Sequence, residues 1–220
     1  MRKNIYAVID TETVGIKKKL VYDLGMVITD KTGDIKLAKR WLVKEVMDIP
    51  LMEELPFYNK KIEKNAEGII PTALVDIETE INEIFAQFDV NVVVAYNLPF
   101  DFQAVKDTMS MFKIESKLFD NLEYFDLWNA SCNSFLNQKN YKAVAREQGW
   151  FTKTGLISSN AENAYRYITG DYQFVEEHTA LEDCIIETRI LQEICRQKKA
   201  KQKNTMIYMP WKKIQEKRSA

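Results

Sequence analysis

Runs of consecutive apolar residues divide the first half of the chain into strands that suit the interior of a sheet. The run at 5–9 is rich in β-forming residues, and the run at 90–95 has the same character, so both are predicted as strands buried on both faces. Residues 20–29 and 35–43 predict two further strands, joined by a turn cluster at 31–34. The first three strands are therefore expected to form an antiparallel meander.

Helical spacing of apolar residues dominates the rest of the chain. After Thr72, a predicted N-cap, one helix is indicated by Leu74, Ile77, Ile81, Ile84, Phe85 and Phe88. The next helix carries a single apolar stripe of Phe102, Val105, Met109 and Phe112. A fifth strand follows at 122–125, and further helices are predicted at 128–136, 141–148, 160–169 and 179–200. This order of elements predicts an α/β fold with a mixed five-stranded sheet flanked by helices.

Composition favours one globular domain with a full core. The chain has 220 residues, of which 46% are hydrophobic. No apolar run approaches the roughly 20 residues of a membrane helix, and the N-terminus lacks the pattern of an export signal, so we expect no membrane association. The three cysteines have no C-x-x-C spacing, which favours reduced thiols in a cytoplasmic protein over disulfides or a zinc site.

The net charge of −1 hides an asymmetry along the chain. Residues 196–220 contain nine basic residues and one acid, a charge of +8, so the remainder of the chain carries −9. An acidic core suits a site for divalent cations, and a basic tail suits a polyanionic partner, although a solvated terminus explains the tail equally well. Residues 46–71 contain three prolines and predict loops and short helices over one sheet edge.

Two acidic residues, Asp10 and Glu12, directly follow the first apolar run. Residues two apart in a strand point to the same face, so these carboxylates are expected to converge beyond the sheet edge, where such sheets bind their ligands. The same D-x-E pattern occurs at 76–78, but there it lies in an amphipathic helix with its acids towards solvent. What distinguishes Asp10 and Glu12 is the buried strand before them, and a purely structural role is the alternative.

A third candidate carboxylate, Asp101, follows the strand at 90–95. Asn97 is placed to cap the next helix, and Pro99 falls in its first turn, where proline is tolerated. Asp101 then lies at the N-terminal end of this helix. The alternative to a catalytic role is that the acid only complements the helix dipole.

The chain's one histidine, His178, stands five residues before Asp183. Thr179 and Glu182 between them form a capping box, so His178 is expected in the loop before a helix and Asp183 in the helix. A loop histidine can swing towards a substrate and act as a general base. A surface or packing role is the alternative.

Taken in order, these segments resemble the motifs of the DEDDh family of 3′–5′ exonucleases, which have the RNase H-like fold. The D-x-E of residues 10–12, the N-x-x-F-D of residues 97–101 and the H-x-x-x-x-D of residues 178–183 match its three motifs. The sequence of residues 21–25 also resembles sequences of this exonuclease family. The resemblance covers about 4–195, which we interpret as an exonuclease domain at 1–195 followed by a basic tail at 196–220.

The resemblance implies a two-metal-ion phosphodiester hydrolase. Two Mg²⁺ or Mn²⁺ ions would be held by Asp10, Glu12, Asp101 and Asp183. His178 would be the general base, and nucleoside 5′-monophosphates would be released from single-stranded or frayed DNA. Contacts to the terminal nucleotide are expected from Thr11, Thr13, Asn97 and Phe100.

Alternative functions use the same motifs. One is an RNA-trimming exoribonuclease similar to RNase T and oligoribonuclease. Another is an accessory subunit in DNA replication or repair that binds a polymerase or a single-strand-binding protein, as the proofreading epsilon subunit of bacterial DNA polymerase III does. The tail, with Tyr208 and Trp211 among its lysines, suits gripping a single strand. Docking of the tail on the core or on a replication protein is equally open.

Overall fold

A five-stranded sheet forms the centre of the protein. The computed structural model describes residues 4–14, 19–49, 66–197 and 209–215. Within these ranges the strands, in chain order from β1 to β5, are Ile5–Val14, Leu20–Asp30, Ile35–Leu42, Val92–Ala95 and Glu123–Asp126. Their order across the sheet is β3-β2-β1-β4-β5. Strand β1 is thus central, as its buried apolar run predicts.

The sheet is mixed in the predicted way. Strand β1 pairs antiparallel with β2, which pairs antiparallel with β3. Strand β1 pairs parallel with β4, and β4 pairs parallel with β5. The predicted meander followed by parallel strands is confirmed. Because β1, β4 and β5 run in one direction, their carboxyl ends meet at one edge of the sheet.

Helices cover both faces of the sheet. From α1 to α7 they are Lys44–Met47, Leu74–Phe88, Leu98–Met111, Leu127–Ser134, Lys139–Glu147, Ala161–Thr169 and Ala180–Arg196, and a short 3₁₀ helix, η1, spans Pro210–Ile214. None of the helices in the described ranges is both long and apolar enough to cross a membrane. The predicted helices are therefore present, with the last one ending earlier, at Arg196, just before the undescribed residues 198–208.

Two apolar layers separate the sheet from its helices. One layer contains Ala7 and Ile9 of β1 together with helices α2 and α3. The other contains Tyr6 and Val8 of β1 together with α4, α7 and η1. Because side chains alternate along a strand, Asp10 continues the second face, on which α7 packs.

Two local predictions differ from the structure. Strand β1 does not end at the acidic residues but continues to Val14, with a register shift between Glu12 and Thr13. Thr72 is not the cap of α2: the N-cap position is Ala73, which makes no side-chain capping bond. The Glu45 carboxylate takes over this role, since both of its oxygens lie 3.0 Å from the Leu74 amide nitrogen, which donates to them. Most of the predicted irregular segment 46–71, namely 50–65, lies outside the described residues.

Candidate active site

Strand β1 brings Asp10 and Glu12 to the sheet edge where β4 and β5 also end. In the β1–β2 ladder, Asp10 is opposite Gly25 and Glu12 is opposite Asp23. Both acids are partly buried and lie immediately before the register shift at Thr13. A break in register of this kind changes the direction of a strand end, as is common beside active sites.

Helix α3 brings Asp101 against the end of β1. Asn97 joins β4 to α3 with a left-handed backbone (φ 76°), and its side chain makes no capping bond, so the predicted side-chain cap is wrong. The chain turns back at Asn97 through its carbonyl instead, which accepts from the Phe100 amide at 2.8 Å. Asp101 is 2% exposed, and its Oδ1 accepts a hydrogen bond from the Thr11 hydroxyl at 2.8 Å. This bond connects the first and second motifs directly.

Helix α7 begins as its capping box predicts. The Thr179 hydroxyl oxygen accepts from the Glu182 amide at 3.4 Å. Asp183 lies in the first turn, and His178 lies just outside the helix in a left-handed conformation (φ 60°) with 59% of its side chain exposed. The His178 imidazole is therefore open to a ligand while Asp183 is held by the helix.

The loop that carries His178 is tied to α6. Arg166 of α6 donates to the carbonyl of Phe174 at 2.7 Å and pairs with Glu162 at 3.0 Å. Glu162 in turn accepts the amide of Glu176 at 3.1 Å. The Glu176 carboxylate then lies 3.5 Å from Nδ1 of His178. These contacts fix the loop on its outer side.

The N-terminus of α7 is held on its inner side by β2. A Cβ built at Gly25 would lie 2.2 Å from the Ala180 carbonyl oxygen, so only glycine admits the helix here. The Ala180 amide donates to Asp23 at 3.3 Å, and the fully buried Asp23 carboxylate also forms a two-bond ion pair with Arg40 at 2.8 Å. Asp23 was not among the predicted site residues, although an acid inside an apolar strand is a sequence signal for such a role.

These contacts place His178 and Asp183 of the third motif against Glu12 of the first motif. Glu12, His178 and Asp183 each offer a ligand atom, and these atoms lie within 4.8 Å of one another. A cluster of carboxylate and imidazole donors at this spacing can hold a metal ion. Asp10 and Asp101 lie near enough to act electrostatically on the same cluster.

The carboxylates repel one another, and burial adds to this effect. Burial raises the pKa of Asp10 well above its usual value, and the charges of Asp101, Asp183, Glu12 and Glu176 raise it further. Burial also raises the pKa of Asp101 to about 7, against the lowering effect of the Thr11 hydrogen bond. Such a site favours a bound cation, since opposite charge restores the ionised carboxylates.

A further buried carboxylate, Glu187, lies one helical turn below Asp183 and was not predicted. It is 2% exposed, and its Oε2 is buried without a hydrogen-bond partner among the described residues. Burial raises its pKa, as do the charges of Asp10 and Asp101, while the Tyr96 amide hydrogen bond lowers it. A glutamate on an otherwise apolar helix stripe was the available sequence signal.

The predicted substrate-binding residues occupy different positions around this cluster. Phe100 is 38% exposed in the first turn of α3, and Asn97 and Thr13 are partly buried. Thr11 is 6% exposed, and its hydroxyl is engaged by Asp101. Their contacts with a nucleotide remain predictions.

Comparisons with known proteins relate the chain to nucleases by shape. No protein-family model matches the sequence, and no curated protein matches it either. Among solved structures, E. coli exonuclease I in complex with a dT13 oligonucleotide matches with a TM-score of 0.55 at 14% identity, over 87% of this chain and 41% of that one. The zinc-bound E. coli exonuclease I–ssDNA complex gives a TM-score of 0.52 at 13% identity, over 87% and 40%.

A smaller neighbour is S. pombe Pop2p in its Mg²⁺- and Mn²⁺-bound form. Its TM-score is 0.52 at 13% identity, and the match covers 86% of this chain and 82% of Pop2p. The chain thus spans about two fifths of exonuclease I but most of Pop2p. At such identities the matches report on the fold. The chain therefore has the RNase H-like fold of these proteins, which confirms the fold class that its motifs predict.

Proposed function

We propose that the protein is a metal-dependent 3′–5′ exonuclease that removes nucleoside 5′-monophosphates from single-stranded or frayed DNA. The observation that carries the proposal is the convergence of Glu12, His178 and Asp183, with Asp10 and Asp101 beside them, from three distant parts of the chain. Support also comes from neighbours with the same fold, among them an exonuclease in complex with a DNA oligonucleotide. The 3′–5′ polarity rests on the resemblance of the motifs.

We propose that the site holds two divalent cations. The proposed ligands are Asp10, Glu12, Asp101 and Asp183, all of them carboxylates, which are the oxygen ligands that Mg²⁺ and Mn²⁺ prefer. Burial raises the pKa values of Asp10 and Asp101, and the pKa of Asp10 is raised further by the neighbouring carboxylates, which a bound cation would offset. When bound, the ions would neutralise charge on the phosphate and activate water. Pop2p binds Mg²⁺ and Mn²⁺, which supports this choice of metals.

His178 is proposed to accept a proton from the attacking water. Its exposed imidazole and its loop position let it approach a bound 3′ end. Glu176, 3.5 Å from Nδ1, is placed to orient the ring and leave Nε2 for that proton. The water oxygen bonds to the terminal phosphorus, the bond from phosphorus to the 3′ oxygen breaks, and the departing oxygen takes up a proton from solvent.

The terminal nucleotide is proposed to bind between the first turn of α3 and the end of β1. Phe100 exposes enough of its ring to pack on a base or a sugar. Asn97 and Thr13 are at the same sheet edge and supply polar groups. Thr11 is proposed to act mainly by holding Asp101, since its hydroxyl donates there.

The test is degradation of a 5′-labelled single-stranded DNA by the purified protein with Mg²⁺, beside a matched RNA. A ladder that shortens from the 3′ end is expected for the parent and for Asp76→Asn, a control acid exposed on α2. Asp183→Ala should yield no ladder. The ratio of DNA to RNA cleavage chooses between the deoxyribonuclease and exoribonuclease alternatives. Absence of cleavage of both strands with Mg²⁺ and Mn²⁺ would refute the proposal.

A further inference from the structure

A groove with two tryptophans opens between α4, the segment at 151–160 and η1. Trp128 and Trp211 both line it, and Leu156 and Ile157 add apolar surface. Its volume is about 440 Å³, and its remaining lining residues are polar and uncharged. A cavity of this size and character is typical of a site for a flat, partly polar molecule.

The described part of the basic tail is docked on the core. Pro210 and Ile214 of η1 are buried, and η1 packs against α4. The Lys213 ammonium donates to Asn133 at 2.7 Å and to Asn129 at 3.2 Å. The docking alternative for the tail thus holds for 209–215, while Tyr208 and the lysines before it lie outside the described residues. Docking also fixes the backbone that presents Trp211 to the groove.

The groove lies on the same face and at the same edge of the sheet as the candidate active site. Strand β5 runs parallel to β4 and β1, and Trp128 follows β5 directly, in the layer that continues Tyr6 and Val8 towards Asp10. Adjacent strands are about 4.8 Å apart, and Val8 and Phe125 are both in register with Val94, so β1 and β5 are separated by roughly 10 Å where β5 ends.

Aromatic contacts connect the groove to the second motif. The Tyr96 ring, immediately before Asn97, stacks on Trp128 with centroids 6.4 Å apart. Ser159 receives hydrogen bonds from both residues, from the Tyr96 hydroxyl at 2.6 Å and from the Trp128 indole at 2.8 Å. Trp128 therefore has a fixed position relative to the site.

The charge next to the groove is positive. Lys153 lies between the lining residues Thr152 and Thr154, and Lys212 is adjacent in sequence to Trp211. Both ammonium-bearing residues are exposed. Exposed lysines beside aromatic rings are the combination with which single strands are bound, because rings stack on bases and cations approach phosphates.

We propose that this groove binds a nucleobase of the single-stranded substrate, on the 5′ side of the scissile linkage, with Trp211 as a stacking platform. The inference rests on the proposed function for the identity of the strand. It assigns the docked tail a binding role as well as a structural one. Oligonucleotides that are too short to reach from the metal cluster to the groove are expected to bind without any contribution from Trp211.

The test compares oligonucleotide binding in an Asp183→Ala background, which prevents degradation. Fluorescence anisotropy is measured for a dT oligonucleotide of about ten residues, and competition is used for a dinucleotide. Trp211→Ala should weaken binding of the longer strand by about 5- to 150-fold, the range for loss of one stacked base. Binding of the dinucleotide should not change, and Trp211→Phe should retain most of the affinity. Met209→Ala, at an exposed neighbour that does not line the groove, is the control.

Two results would overturn the inference. One is equal affinity of Trp211→Ala and its background for the longer strand, as expected if the groove receives a protein. The other is an equal loss for both ligands, which would indicate a disturbed active site. The nuclease assay distinguishes the failure of one proposal from the failure of the other. If the protein cleaves DNA but Trp211→Ala does not weaken binding, only the groove proposal is refuted. If Trp211→Ala weakens binding but the parent protein does not cleave, only the exonuclease proposal is refuted.

Discussion

The substitution Gly25→Ala is expected to displace the helix that carries Asp183. A Cβ at this position would lie 2.2 Å from the Ala180 carbonyl oxygen, 2.3 Å from its carbonyl carbon and 2.6 Å from the Leu181 nitrogen. All three are backbone atoms, so no side-chain rotation relieves the clash. Ordinary contact begins near 3.4 Å, so the first turn of α7 must retreat from β2 by about 1 Å.

The expected consequence is a loss of turnover in a protein that remains folded. Overpacking of this kind costs about 1–3 kcal/mol of unfolding free energy. A displacement of roughly 1 Å in a catalytic group costs about 10²-fold in rate. Asp183 lies in the displaced turn, and His178 lies just before it. Turnover is measured on single-stranded DNA with Mg²⁺, and stability by urea denaturation.

Gly149→Ala is the matched control for Gly25→Ala. Alanine is also unfavourable at Gly149, but for a different reason. The φ of 71° is strained for alanine, whereas a Cβ added there would meet nothing within 4 Å. The strain costs about 1–2 kcal/mol, so this variant is destabilised without any movement of α7. Turnover near the parent's in a folded Gly25→Ala, or an equal loss in both variants, would refute the positioning argument.

Three further predictions concern the metal, the base and pH. Mg²⁺ or Mn²⁺ should raise the Tm of the parent, because cations relieve the repulsion at Asp10, and Asp10→Ala should abolish the rise in a thermal melt. His178→Ala should keep that Tm shift but lower turnover by about 10²–10⁴-fold in steady-state kinetics, and a mutant as active as the parent would remove its role as the base. With a chelator present, the free energy of unfolding should fall as pH rises from about 4 to 7. The pKa of Asp101 is about 7 in the folded protein, which is above its pKa in the unfolded chain. Asp101 therefore stabilises the folded state fully at a pH below the unfolded pKa, and this stabilisation is lost as the pH rises through the folded pKa. A flat urea-denaturation profile across this range would contradict the shift.

The elements and motif order are predictable from sequence because their causes are local. The buried runs of β1 and β4 and the capping box at Thr179 each depend on neighbours within a few residues, and all are confirmed. Thr72 shows the limit of such reasoning. Its helix uses Glu45, 29 residues away from Leu74, as the acceptor for its first turn.

The supports of the site were not predictable because distant residues create them. Asp23 accepts from the Ala180 amide, which is 157 residues away. Glu187 comes near Asp10 and Asp101 only because α7 packs over β1 and β4. The role of Gly25 likewise depends on the close approach of α7. Sequence patterns identified which side chains could carry the chemistry but not what holds them in place.

The position of the third motif is set by contacts that do not require a metal. Asp23, which is paired with Arg40, accepts from the Ala180 amide, Gly25 admits the helix, and Arg166 of α6 holds the preceding loop. The repelling carboxylates are therefore kept together by a separate framework of bonds around them. It follows that a chelator should stop catalysis while leaving the protein folded. Asp23→Ala should instead cost about 1–3 kcal/mol of stability even with Mg²⁺ present, because it removes the Arg40 ion pair and the acceptor of the Ala180 amide. Unfolding on chelation alone would show that the ions, and not Asp23 and Gly25, hold the site together.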